Sequence, residues 1–123
     1  MDKKVHELLN DQINKEFYSA YLYLDFSNYF KAAGLDGFAN WYMIQAQEER
    51  DHAMLFYTYL QNENMPVELG AIAKPDKVFN CHMDVLNAGL EQEKYVTSLI
   101  IDIFSAAYDV RDFCPLHFFY WFV

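Results

Sequence analysis

Three long runs of this sequence repeat their apolar residues every three or four positions, and little interrupts the repeat inside them. That period puts one stripe of an α-helix into a core and is foreign to a strand, whose side chains alternate. Runs of nearly thirty residues exceed an ordinary globular helix and suit a bundle. The sequence therefore predicts an all-α chain. Its architecture is a four-helix bundle with one long crossover between the second and third helices, and a fourth helix truncated or incomplete at the end of the sequence.

The first helix is expected over about 3–33, with the seam Leu9, Ile13, Glu16, Ala20, Tyr23, Ser27 and Phe30. Gly34 suits the left-handed residue that closes a helix, and Asp36 is the expected cap of the next. So short a connection makes the first two helices antiparallel neighbours. The second helix, about 37–62, has the seam Phe38, Tyr42, Gln45, Glu49, His52, Phe56 and Tyr59. From 63 to 80 the period fails around Pro66, Gly70 and Pro75, and the segment reads as a crossover running the length of the bundle. The third helix, about 81–109, has the seam Met83, Leu86, Leu90, Glu93, Thr97, Ile100, Phe104 and Ala107; the fourth begins near 112 and reaches 123. Pro115 fits there only within the first helical turn.

One carboxylate stands in each of the three seams: Glu16, Glu49 and Glu93. Buried acids without partners are strongly penalised, so acids at three core positions imply a shared cation or shared protons. His52 lies one turn beyond Glu49 on the same face, where both reach one ion. A Glu-x-x-His pair alone is commonly a surface charge pair. Here, however, Glu16, Glu49 and His52 all fall roughly 23–27 Å from the same end of the hairpin at ~1.5 Å per residue. A fourth-helix ligand at that height would fall near position 129, beyond Val123.

The formal charge of −9 disfavours a nucleic-acid partner, which needs a basic footprint. No run approaches ~18 uninterrupted apolar residues, so no membrane span is expected. The start enters a helix with no apolar signal region, and Cys81 and Cys114 make neither a disulfide framework nor a metal-binding pair. Both point to a reducing cytoplasm. His6 reads as a solvated first-turn residue, and His82 and His117 as non-ligands.

The stretches Asn14-Lys-Glu-Phe-Tyr-Ser-Ala-Tyr-Leu-Tyr-Leu, Leu35-Asp-Gly-Phe-Ala-Asn-Trp, Gln45-Ala-Gln-Glu-Glu-Arg-Asp-His-Ala, Ile72-Ala-Lys-Pro and Glu93-Lys-Tyr-Val-Thr resemble bacterial non-haem ferritins, within the ferritin-like di-iron superfamily. The resemblance implies iron storage and detoxification, with Fe(II) oxidised to Fe(III) by O2 or peroxide at a di-iron centre inside each subunit. It places Glu16, Glu49 and His52 on the first iron, Glu49 as a bridge, and Glu93 on the second. Tyr23 flanks the centre, Trp121 lies beside it, and Glu48 belongs to an additional iron site. The resemblance also implies a homo-oligomeric shell of twenty-four subunits. The family's fourth helix continues past the tryptophan with an acidic segment that this sequence lacks. That departure leaves open a structural subunit with an incomplete centre, or another ferritin-like di-iron protein.

Overall fold

The computed structural model describes residues 1–122, with side chains as far as Phe119. Four helices follow one another: α1 (Lys3–Ala32), α2 (Asp36–Asn62), α3 (His82–Asp109) and α4 (Phe113–Phe122). Among the described residues there is no strand, and no helix is long and apolar enough to cross a membrane.

The helices stop where the backbone permits it. After α1, Gly34 turns to φ +78°, its N–H bonds the Lys31 carbonyl, and the Leu35 N–H bonds that of Phe30. This is the paired closure that satisfies the last carbonyls of a helix. Asn64 and Arg111 repeat it after α2 and α3, both with φ 56°. Asn tolerates that conformation, whereas Arg adopts it against its own Cβ. Asp2 caps α1 by accepting from the Val5 N–H at 3.1 Å. Asp36 does not cap α2 as expected: it is the first helical residue, behind Leu35, and pairs with Lys31 at 3.0 Å. Its charge there still complements the positive end of the helix.

The apolar core is divided in two. One cluster joins Leu22, Phe26 and Phe30 of α1 to Tyr42 and Ala46 of α2 and to Val85 and Ala88 of α3. The other joins Val5, Leu9 and Ile13 to Phe56, Leu60, Ile103, Ala107 and Phe119. Phe26, Phe30 and Phe56 are wholly buried, each contributing about 1.5–3 kcal/mol by removal from water. Between the clusters lies a polar layer holding Gln12, Glu16, Ser19, Glu49 and Gln92, all buried.

The crossover is held along α1 by side chains spaced one turn apart. His6 Nε2 meets the Pro66 carbonyl at 2.7 Å, Asn10 exchanges two 2.9 Å hydrogen bonds with the Glu68 main chain, and Asn14 donates to the Ala71 carbonyl at 2.8 Å. His6 is therefore an anchor of the crossover and not merely a solvated residue. His82 Nδ1 meets the Tyr29 hydroxyl at 2.9 Å.

The third seam differs from its expected face. The buried stripe of α3 is Val85, Ala88, Gly89, Gln92, Val96, Ile103 and Ala107. Met83, Leu90, Thr97 and Phe104 are exposed, and so is Glu93. Most of the stripe is turned one position back from the expected seam. The small residues accompany the turn: a Cβ on Gly89 would stand 2.6 Å from the Tyr42 hydroxyl oxygen, so the glycine leaves room for the Tyr42 side chain reaching across from α2.

Candidate metal centre

Glu16 projects from the middle of α1 into the polar layer and is fully buried. Glu49 and His52 face it from α2, brought together by the antiparallel hairpin and by their one-turn spacing. One ligand atom from each of the three lies within 4.8 Å of the others. His52 Nδ1 stands 3.5 Å from Glu49 Oε2 and 3.9 Å from Glu16 Oε2. Glu16 Oε1 accepts from the Gln12 amide at 3.1 Å, while Oε2 is buried and meets no donor group, so its contact with Glu49 is a hydrogen bond only when a proton lies between the two carboxyls. An orphaned oxygen facing a second carboxylate and an imidazole is costly without a cation or a proton between them. Carboxylate and imidazole together suit a borderline divalent metal such as Fe(II).

The electrostatics express that cost. Burial, then the hydrogen bond to Glu49 and the charge of Glu49, push the Glu16 carboxyl well above the usual range, against a downward pull from Gln12. Burial also pushes Glu49 up, but its hydrogen bonds with His52 and Glu16 and the charge of His52 outweigh it, and the net movement is downward. The hydrogen bond to Glu49 raises His52, with partial burial acting the other way. Without a metal, the proton stays on Glu16, and Glu49 holds the negative charge.

Glu93 and Tyr23 form a second pair on the α3 side, where the Tyr23 hydroxyl donates to Glu93 Oε1 at 2.5 Å. Burial, followed by that hydrogen bond, moves the Tyr23 phenol far upward, so it remains a donor. A cleft of about 240 Å³ lined by Tyr23, Tyr42, Gln45, Gly89, Leu90 and Glu93 opens this pair to the surface. Glu48 is exposed on α2; its charge helps lift His52, but it stands outside the three-residue group. The side chain of Trp121 lies outside the described residues.

Gln12 and the Gln92–Ser19 pair, bonded at 3.0 Å between α3 and α1, belong to the same layer and were not foreseen from the sequence. The available signal for Gln12 was its position four residues before Glu16, one turn away on one face.

A family profile for the ferritin-like domain matches residues 6–123. The bacterial non-heme ferritin of Campylobacter jejuni is 35% identical over the whole chain, which spans 74% of that protein, and that of Staphylococcus haemolyticus is 32% identical with the same coverage. Among solved structures, the open pore ferritin of Archaeoglobus fulgidus superposes with a TM-score of 0.95 at 36% identity, and Chlorobium tepidum ferritin with 0.96 at 29%. The chain is covered completely in both, and 76% of each ferritin is covered in return. With the profile, the bundle and the inward-facing Glu16, Glu49 and His52 all in agreement, the chain belongs to the ferritin family.

Proposed function

We propose that this chain takes up Fe(II), oxidises it at the polar layer of the bundle and passes Fe(III) into storage within an assembled shell. The observation that carries this reading is the group Glu16, Glu49 and His52, whose ligand atoms converge within 4.8 Å around an unpartnered buried oxygen. Iron is the substrate. A first Fe(II) takes Glu16, Glu49 and His52, and displaces the proton held on Glu16. Glu49 extends its second oxygen toward a neighbouring Fe(II), for which Glu93 is the further carboxylate. Each iron gives up one electron; the pair reduces dioxygen to hydrogen peroxide with uptake of two protons.

In this reading the chain's residues bind, orient and shield. Ile13 and Phe56, both buried beneath the layer, limit water around the ions. Tyr23 orients Glu93 through its hydroxyl, and Glu48 serves an additional ion position at the surface. Assembly of like subunits, twenty-four in the proposed shell, is supported by exposed apolar side chains on α1 and α2: Tyr21, Leu24, Met43 and Ile44. A cytoplasmic location is supported by Cys81 and Cys114, both free and exposed.

Stopped-flow measurement of the initial Fe(II) oxidation rate tests the assignment. Glu49→Ala should abolish the fast phase, and an unchanged rate would refute it. A second reading, a structural subunit with an incomplete centre, is favoured by one observation: Glu93 is exposed and outside the converging group. Anaerobic metal stoichiometry separates the two. Two ions per chain support the oxidase, and none supports the structural subunit.

A further inference from the structure

Gln12 sits one turn before Glu16 on the same face of α1 and is only 2% exposed. Its neighbours Leu9 and Ile13 belong to the lower apolar cluster, where an aliphatic side chain would bury at less cost than an amide. What the amide does there is specific. Nε2 donates to Glu16 Oε1 at 3.1 Å, and the remaining oxygen, Oε2, receives no donor group and stands 3.9 Å from the imidazole of His52. The two oxygens of one carboxylate are thus given different tasks. Both residues are buried, so water does not compete for the contact.

We infer that Gln12 is a positioning residue for the metal centre, fixing Glu16 so that it meets an ion through Oε2 alone. The inference rests on the reading of Glu16 as a metal ligand. A carboxylate free to rotate can offer one oxygen or two, and a second oxygen on the ion would fill a coordination position needed by the oxidant. A hydrogen bond to Oε1 removes that choice. Supports of this kind orient metal ligands and tune their affinity.

Anaerobic Co(II) titration of the assembled protein, followed by its visible d–d absorption, tests the inference. Gln12→Met keeps the length and bulk of the side chain and deletes the donor; Gln12→Leu provides a second variant should the first fail to fold. Affinity at the tighter Co(II) position should fall about tenfold, and the absorption should weaken as Glu16 swings to two-oxygen contact. Unchanged affinity and an unchanged spectrum in a folded variant, even with a shifted unfolding temperature, would overturn the positioning role. Glu49→Ala supplies the control. If it loses Co(II) while Gln12→Met leaves binding and spectrum intact, only the role of Gln12 falls. If Glu49→Ala binds as before, the metal-centre reading falls and the inference with it.

Discussion

A metal entering this centre should expel a proton, and the number expelled can be worked from the geometry. Burial, followed by the hydrogen bond and charge of Glu49, raises the Glu16 carboxyl from 4.5 to about 9, so at pH 7 it enters the reaction neutral. Glu49 moves downward and contributes no proton. His52 moves upward through its hydrogen bond to Glu49, so its protonated fraction adds to the count. The first ion bound at pH 7 should therefore release about one proton from Glu16, plus the fraction held by His52. Below the raised value, apparent affinity climbs about tenfold per pH unit for each proton lost. It levels off once Glu16 is ionised in the free protein. Titration calorimetry with Zn(II), run at pH 7 in two buffers of different ionisation enthalpy, reads the count. A release below about half a proton per ion would show Glu16 already ionised, or not a ligand, and would refute the reasoning.

Three further outcomes follow from particular contacts. Gly89→Ala places a Cβ 2.6 Å from the Tyr42 hydroxyl oxygen; the strain, about 1–3 kcal/mol, should exceed the ~1 kcal/mol gained in helix propensity. Thermal unfolding should show a net loss that Tyr42→Phe recovers, and no loss would contradict a tight fit of the Tyr42 side chain against Gly89. Arg111→Gly relieves a left-handed residue at φ 56° and should stabilise the chain by up to about 1 kcal/mol in urea unfolding; destabilisation would indicate that the arginine makes a contact worth more than the strain. Tyr23→Phe deletes the donor to Glu93 while keeping the ring packed near Phe26 and Tyr42, at centroid distances of 5.8 and 5.7 Å. Stability should fall by about 1 kcal/mol, and the second Co(II) to bind should weaken while the first does not; equal weakening of both would remove Tyr23 from the role of orienting Glu93.

The parts legible in the sequence were those fixed by helix geometry alone. Nearly uninterrupted periodicity gave α1 and α2 within a residue or so, and a three-residue connection fixed their direction, so Glu16 could be levelled with Glu49 and His52 by counting. The face of α3 was harder. That helix carries large apolar residues nearly all round, Met83, Leu90, Ile101 and Phe104 among the exposed ones, and periodicity cannot choose between two apolar stripes. Small residues chose instead: Ala88 and Gly89 leave room beside the Tyr42 side chain that a leucine would fill. Glu93 consequently lies at the rim and not within the seam. Gln12 escaped notice for another reason. An amide beside two aliphatic residues looks like an ordinary polar neighbour until its partner across one turn is known to need a donor.

The contacts of His6, Asn10 and Asn14 with the crossover carry a consequence for how this chain tolerates change. Their partners are the main-chain atoms of Pro66, Glu68 and Ala71. Every residue type has a carbonyl and all but proline have the N–H that Glu68 donates, so side chains at exposed positions such as Glu68 and Ala71 can be exchanged, proline at 68 excepted, without removing a hydrogen bond. Loss or gain of one residue between 66 and 71 is a different event, because it slides each carbonyl past the side chain waiting for it. The segment is therefore permissive in spelling and strict in length. It can accept a chemical label or an epitope by substitution, where a one-residue deletion would undo the attachment of the strap to α1.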